Sequence, residues 1–312
     1  MRRLRAALGA VMCVWLAPYG SIAAQQTHVL IATGLGGEPQ YSAAFMKAAL
    51  ALQETAKTKW SVAPASLIYL AEDPTKNPQI NGKSTREEFT KAFLALAQRA
   101  APGDLVLVFL LGHGSGEGSE SRVNFPGPDP TAADFKAWVA GFAKQTVVFV
   151  NASSASGDFV KELAGTNRII VTATRTALER NESVFANHFV QGFVSGEGDA
   201  DKDGRTTVRE AFDYAKREVA KAYESANKLL TEHAAISDTT LAAMVGFGGE
   251  APSTDPRVIS LIAERRDLED QLNALKARKD AMDATEYERE LERIATAIAE
   301  KTALIRAARG GK

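Results

Sequence analysis

The sequence predicts an α/β fold, a mostly parallel sheet covered by helices on both faces, followed by a C-terminal α-helical hairpin. Three observations carry this. Between His28 and about Gly248, short apolar runs alternate with segments of helical period. The runs are apolar at successive positions rather than at every second one, as in strands buried on both faces. Beyond Pro256 the composition changes: residues 255–312 hold 12 basic and 12 acidic side chains, with no glycine before Gly310.

Five runs bounded by Gly, Pro, Asn or Asp are the expected strands: His28–Ala32, Ser66–Leu70, Leu105–Leu111, Val147–Val150 and Arg168–Val171. The interleaved segments Tyr41–Ala56, Thr85–Arg99, Ala132–Ala143, Asp158–Ala164 and Ser183–Phe193 have helical spacing. Ligands of such sheets bind beyond the carboxyl ends of strands. Both His113 and Ser154 fall at such ends. The Gly- and Pro-rich stretch 246–256 reads as a linker. The expected organisation is therefore an α/β domain over 27–248, a linker over 249–256 and a helical hairpin or coiled coil over 257–309. One apolar stripe of the hairpin runs through Val258, Leu261, Leu268, Leu272, Leu275 and Met282, and the other through Tyr287, Leu291, Ile294, Ile298 and Ile305. Asp283-x-x-Glu286 resembles a capping box and sets the turn near Asp280–Thr285. Arg265 and Lys279 interrupt the seam.

A net charge of −1 with 45% hydrophobic residues is ordinary globular composition, and nothing in it points to nucleic acid. Residues 1–26 read as a secretory signal peptide. Arg2, Arg3 and Arg5 precede an apolar core, Ala6–Ala17, and small residues follow at Ser21, Ala23 and Ala24. The core is too short for a permanent membrane anchor. The expectation is a secreted or periplasmic protein; the alternative is an uncleaved N-terminal anchor. Cys13, the single cysteine, lies in this segment. Cleavage would leave no thiolate for nucleophilic attack.

The strand-end motifs are Gly112-His113-Gly114-Ser115 and Asn151-Ala152-Ser153-Ser154-Ala155-Ser156-Gly157. They resemble the active-site frame of the caspase and legumain group of cysteine peptidases. There a His-Gly follows one strand, and a Cys-x-Ser-Gly or Gln-Ala-Cys-x-Gly follows the next. The resemblance covers roughly residues 28–245. It includes the phrases Leu67-Ile-Tyr-Leu-Ala-Glu-Asp-Pro74, Arg168-Ile-Ile-Val-Thr-Ala-Thr174 and Thr231-Glu-His233, which are similar to those of the legumain branch and its bacterial members. In that group histidine and cysteine form a catalytic dyad. The resemblance thus implies a degenerate dyad of His113 and Ser154, with serine at the cysteine position. Ser153 is the alternative register.

A hydroxyl is far more basic than a thiol. It needs a placed base, a group orienting that base and an oxyanion site. No Asp or Glu stands out in the sequence as an orienter for His113. The expected function is a catalytically inactive pseudopeptidase that binds or scaffolds a peptide or protein at the strand ends. One rival is a hydrolase using Ser154 and His113. Another is an assembly protein that self-associates through 257–309. In the blandest reading His113 closes a strand end and the serines satisfy the next helix.

Asp199-Ala-Asp201-Lys-Asp203-Gly204-Arg205-Thr-Thr207-Val-Arg-Glu210 matches the twelve-residue EF-hand loop. Side-chain oxygens fall at positions 1, 3, 5, 9 and 12, the Arg205 carbonyl at 7 and the turning glycine at 6. The expected ligand is a structural Ca2+ held by Asp199, Asp201, Asp203, Arg205, Thr207 and Glu210. The alternative is an Asp/Gly turn with Thr207-x-x-Glu210 as a capping box. Thr206 replaces the usual aliphatic at position 8, and no second loop is present to pair with it. Gly34-Leu-Gly-Gly37 lacks the spacing of a nucleotide-binding loop. His28, His188 and His233 are dispersed, and none stands at metal spacing from another. The stretch Gly112–Ser121 reads as a mobile loop.

Overall fold

A computed structural model describes residues 25–117, 120–200, 204–248 and 255–308. Residues 1–24, most of the expected signal peptide and Cys13 among them, lie outside the described residues. The α/β part runs β1 (Thr27–Thr33), α1 (Pro39–Thr58), β2 (Leu67–Ala71), β3 (Gly82–Lys83), α2 (Arg86–Arg99) and β4 (Leu105–Leu111). Then come β5 (Gly114–Glu117), β6 (Glu120–Val123), α3 (Ala132–Val139), β7 (Thr146–Asn151), α4 (Asp158–Leu163) and β8 (Arg168–Thr172). They are followed by α5 (Phe185–Val194), β9 (Arg205–Thr207), α6 (Val208–Ser225), β10 (Ala235–Ile236), α7 (Thr239–Met244) and β11 (Gly246–Gly248). The tail is α8 (Pro256–Ala277) and α9 (Ala284–Ala308).

The main sheet has the order β10-β8-β7-β4-β1-β2-β3. It is parallel except for β10, which runs antiparallel to β8 at the edge. The expected α/β class is the observed one. Alternation along the strands explains the unbroken apolar runs. In β4, Leu105, Leu107, Phe109 and Leu111 enter one core with α1, α5 and α6, while Val106, Val108 and Leu110 enter the other with α2, α3 and α4. Each face thus buries its own layer, and a polar residue on either side would lie in a dry core.

Helix starts follow capping chemistry. The Thr85 hydroxyl accepts from Glu88 N, and Thr131 and Asp134 form a reciprocal capping box. The third expected helix ends at Val139 rather than Ala143, because the chain turns through Gly141 to begin β7. At the hairpin turn Asp283 Oδ1 accepts from Thr285 N and Glu286 N. Two expectations are corrected. Where it is described, the stretch read as a mobile loop is not open: β5 and β6 pair antiparallel, Gly114 opposite Val123. Of the Gly- and Pro-rich stretch 246–256, residues 246–248 form a strand, β11, and residues 249–254 of the expected linker lie outside the described residues. At the end of the EF-hand-like segment, β9 bonds antiparallel to β11, Phe247 opposite Thr206. These elements are too short to leave a periodic signal. Among the described residues no helix is long and apolar enough to cross a membrane.

Candidate functional site

Strands β4 and β7 are neighbours in register, Leu110 beside Asn151. His113 and Ser154 therefore leave the same end of the sheet on adjacent strands. Gly112 makes the exit from β4 possible. Its φ is +155°, and a Cβ there would stand 3.2 Å from the Gly34 backbone. On the β7 side, Asn151 Oδ1 accepts from the Ser153 amide at 3.2 Å and the Ser153 hydroxyl at 2.7 Å. Ser153 is thus committed to the strand end. Ala155 turns the chain in the left-handed region, at φ +51°, a conformation costing a non-glycine residue about 1–2 kcal/mol. Ser156 then exchanges hydrogen bonds with Thr174 beyond β8.

The Ser154 side chain is buried, with the residue 3% exposed. Its hydroxyl accepts from the Gly114 amide at 3.1 Å and donates to the Gly114 carbonyl at 3.2 Å. His113 has different neighbours. Its ring meets Tyr41 edge-on at 4.9 Å and Phe45 at 5.3 Å. Among the described residues no hydrogen bond or ion pair engages the imidazole. The nearest carboxylate in that chain of contacts is one residue removed: Glu182 accepts from the Tyr41 hydroxyl at 3.0 Å. That bond and the charge behind it push the Tyr41 phenol up.

The β5–β6 hairpin seals the strand ends. A Cβ on Gly114 would come 2.0 Å from the Ser154 carbonyl oxygen, and one on Gly116 would meet the Ala177 carbonyl at 2.6 Å. Arg180 donates to the Gly116 carbonyl at 2.5 Å. Ser121, fully buried, donates to Asp158 Oδ2 at 3.1 Å and accepts the Asp158 amide at 3.3 Å. The start of α4 is thereby capped from the hairpin. A glycine at each second position of β5 was the legible sign of this close approach.

In the EF-hand-like segment Asp201 and Asp203 lie outside the described residues. Of the others, Arg205 lies in β9 opposite Gly248, while Asp199, Thr207 and Glu210 bond within the segment. Asp199 Oδ2 accepts the Gly204 amide at 3.0 Å, and Gly204 turns at φ +89°. Glu210 forms a reciprocal capping box with Thr207. Its second oxygen crosses the loop to accept the Ala200 amide at 3.0 Å. Positions 1, 6 and 12 thus face one loop interior, and the capping-box alternative is present in the same residues. Among the described residues no group of three His, Cys, Asp or Glu side chains forms a metal cluster.

Two buried polar groups escaped the sequence reading. His28 Nε2 lies 3.0 Å from Asp104 Oδ2 at the opposite end of the sheet. Burial pushes the Asp104 carboxyl up. The Gln26 amide, the His28 ring and the Ala101 amide more than reverse that, so it titrates below the ordinary carboxylate range. Glu232, from the Thr231-Glu-His233 phrase, is buried and accepts from Ser183 Oγ and the Val184 and Phe185 amides at the start of α5. Its carboxyl is pushed up by burial. The other two dispersed histidines stand apart from the strand-end motifs. His188 is half-buried on α5 and lowered by burial, and the His233 ring lies 3.3 Å from Glu179.

No protein-family model and no curated protein matches the chain. Among the solved structures that resemble it are the following two. A crystal structure of drICE, a caspase, matches over 71% of this chain and 91% of that chain, at 10% identity and a TM-score of 0.41. A crystal structure of Chaetomium thermophilum Raptor matches over 91% of this chain at 12% identity and a TM-score of 0.40; the match spans 26% of that chain.

Proposed function

We propose that the protein is a caspase- and legumain-like pseudopeptidase, exported from the cytoplasm, which holds a peptide or protein partner at the strand ends without hydrolysing it. One observation carries this reading: the Ser154 hydroxyl exchanges both of its hydrogen bonds with the Gly114 backbone. A serine nucleophile needs a base within about 2.6–3.2 Å to take its proton. Here the proton goes to a carbonyl, and His113 is held among aromatic rings. The partner surface is the rim around His113, Tyr41 and Phe45. The test exposes the purified processed chain to a fluorophosphonate probe and to a peptide library. The expected result is no adduct and no cleavage. Labelling and turnover that vanish in Ser154→Ala would establish the hydrolase instead.

A second proposal concerns the loop 199–210. Asp199, Asp201, Asp203, the Arg205 carbonyl, Thr207 and Glu210 would hold Ca2+, a hard cation that takes six to eight oxygens. The convergence of Asp199, Gly204 and Glu210 supports this. Bound Ca2+ would supply structural cross-linking between β9 and the start of α6.

A further inference from the structure

The helical hairpin has an apolar core of its own. Val258, Leu261 and Ile305 are buried together, with the half-buried Ile262 and Ala308 packed against them, separately from the two clusters that flank the sheet. The element of the α/β part against which α8 mainly packs is α7. A cluster of ion pairs also bridges the two parts. Arg205, in β9, places its guanidinium 3.5 Å from Glu269 and 3.8 Å from Asp270 on α8. It also donates to the Gly246 carbonyl of β11. On α8 itself, Arg265 Nε stands 2.9 Å from the other Glu269 oxygen. The side chains of Glu269, Arg265 and Arg205 are only 4%, 6% and 12% exposed. Arg265 was legible in the sequence only as an interruption of the apolar seam; its place in this cluster is what the seam gave up an apolar side chain for.

We propose that this cluster is an ionic latch that docks the α8–α9 hairpin reversibly on the β9–β11 ribbon. The physical argument is a balance of large opposing quantities. Burying a charge pair costs desolvation that the attraction inside only roughly offsets, so such a pair adds specificity and little net stability. When the hairpin leaves, Arg205 and Glu269 regain water together, while Asp270, whose side chain is 49% exposed, already keeps part of its hydration. When one partner alone is removed, the others stay buried and uncompensated. An apolar junction of the same size would have no such second state, because its release would expose oily surface on both sides. The hairpin keeps its own core in either position, so undocking does not require it to unfold. The latch is independent of the reading of Ser154 and needs no bound ligand.

The test is hydrogen exchange on the full chain, comparing the natural protein with Arg205→Ala and Glu269→Gln. Exchange is expected to accelerate about tenfold or more over residues 256–272 and in β11. The central strands β1, β4 and β7 should remain protected and the helical circular dichroism unchanged. Unaltered exchange over 256–272 in both variants overturns the proposal. So does loss of protection in the hairpin and the central strands together, which would make the hairpin an integral part of one cooperative unit. Glu269→Gln touches only the hairpin side of the junction, so it decides the matter if Arg205→Ala does not fold.

Discussion

At the residue scale, the candidate site turns on one glycine and one hydroxyl. Gly114 binds Ser154 with its amide and carbonyl, and its missing Cβ is what allows the two chains to touch. Gly114→Ala would drive a methyl into the Ser154 carbonyl oxygen, which is backbone and cannot rotate away. The expected cost is about 1–3 kcal/mol, read as a fall of several degrees in thermal midpoint; an unchanged midpoint would contradict the close packing. Asp104 makes a second prediction. Its folded pKa lies below its unfolded one. Its contribution is therefore complete above the unfolded pKa and is lost as pH falls through the folded pKa. Asp104→Asn should cost about 1–3 kcal/mol near neutrality, with the gap to the natural chain closing in acid. A denaturant series across pH measures this. Glu232 has the opposite sign: its folded pKa is raised by burial, so its ionisation penalises the fold above that pKa and the penalty disappears on acidification.

At the element scale, the interesting unit is the loop-to-helix junction from Asp199 to α6. Its capping box and its oxygen-rich turn share one carboxylate, Glu210. Without a cation that carboxylate is satisfied by amides and the Thr207 hydroxyl. With one, it would have to trade part of that bonding for coordination, which predicts modest affinity, around 10⁻⁴–10⁻³ M as in extracellular modules. Millimolar Ca2+ should therefore raise the thermal midpoint of the natural chain and leave Glu210→Gln unmoved, each compared with its own Ca2+-free state. Absence of both a midpoint shift and a calorimetric signal would reject the site. The pairing of β9 with β11 fixes the C-terminal part of this segment, from Arg205 to Thr207.

At the scale of the whole molecule, the helices were legible because one buried face imposes a period on the chain, and the five long strands because burial on both faces leaves unbroken apolar runs. The runs Leu105–Leu111 and Val147–Val150, bounded by turn residues and too short for helices, read as buried strands, and their ends placed His113 and Ser154 on one rim. The absence of any cysteine after Cys13 likewise followed from the sequence. What the sequence left open was everything settled by contacts between distant segments. Periodicity says which side of an element is apolar, but a hydrogen bond across 40 residues, such as that between Gly114 and Ser154, leaves no periodic trace. The same holds for the Arg205 and Glu269 pair, whose members read as ordinary charges on a loop and a helix. Burial made both decisive, since removing water from a polar group forces it to find a partner, and which partner it finds depends on how the folded chain brings remote segments together.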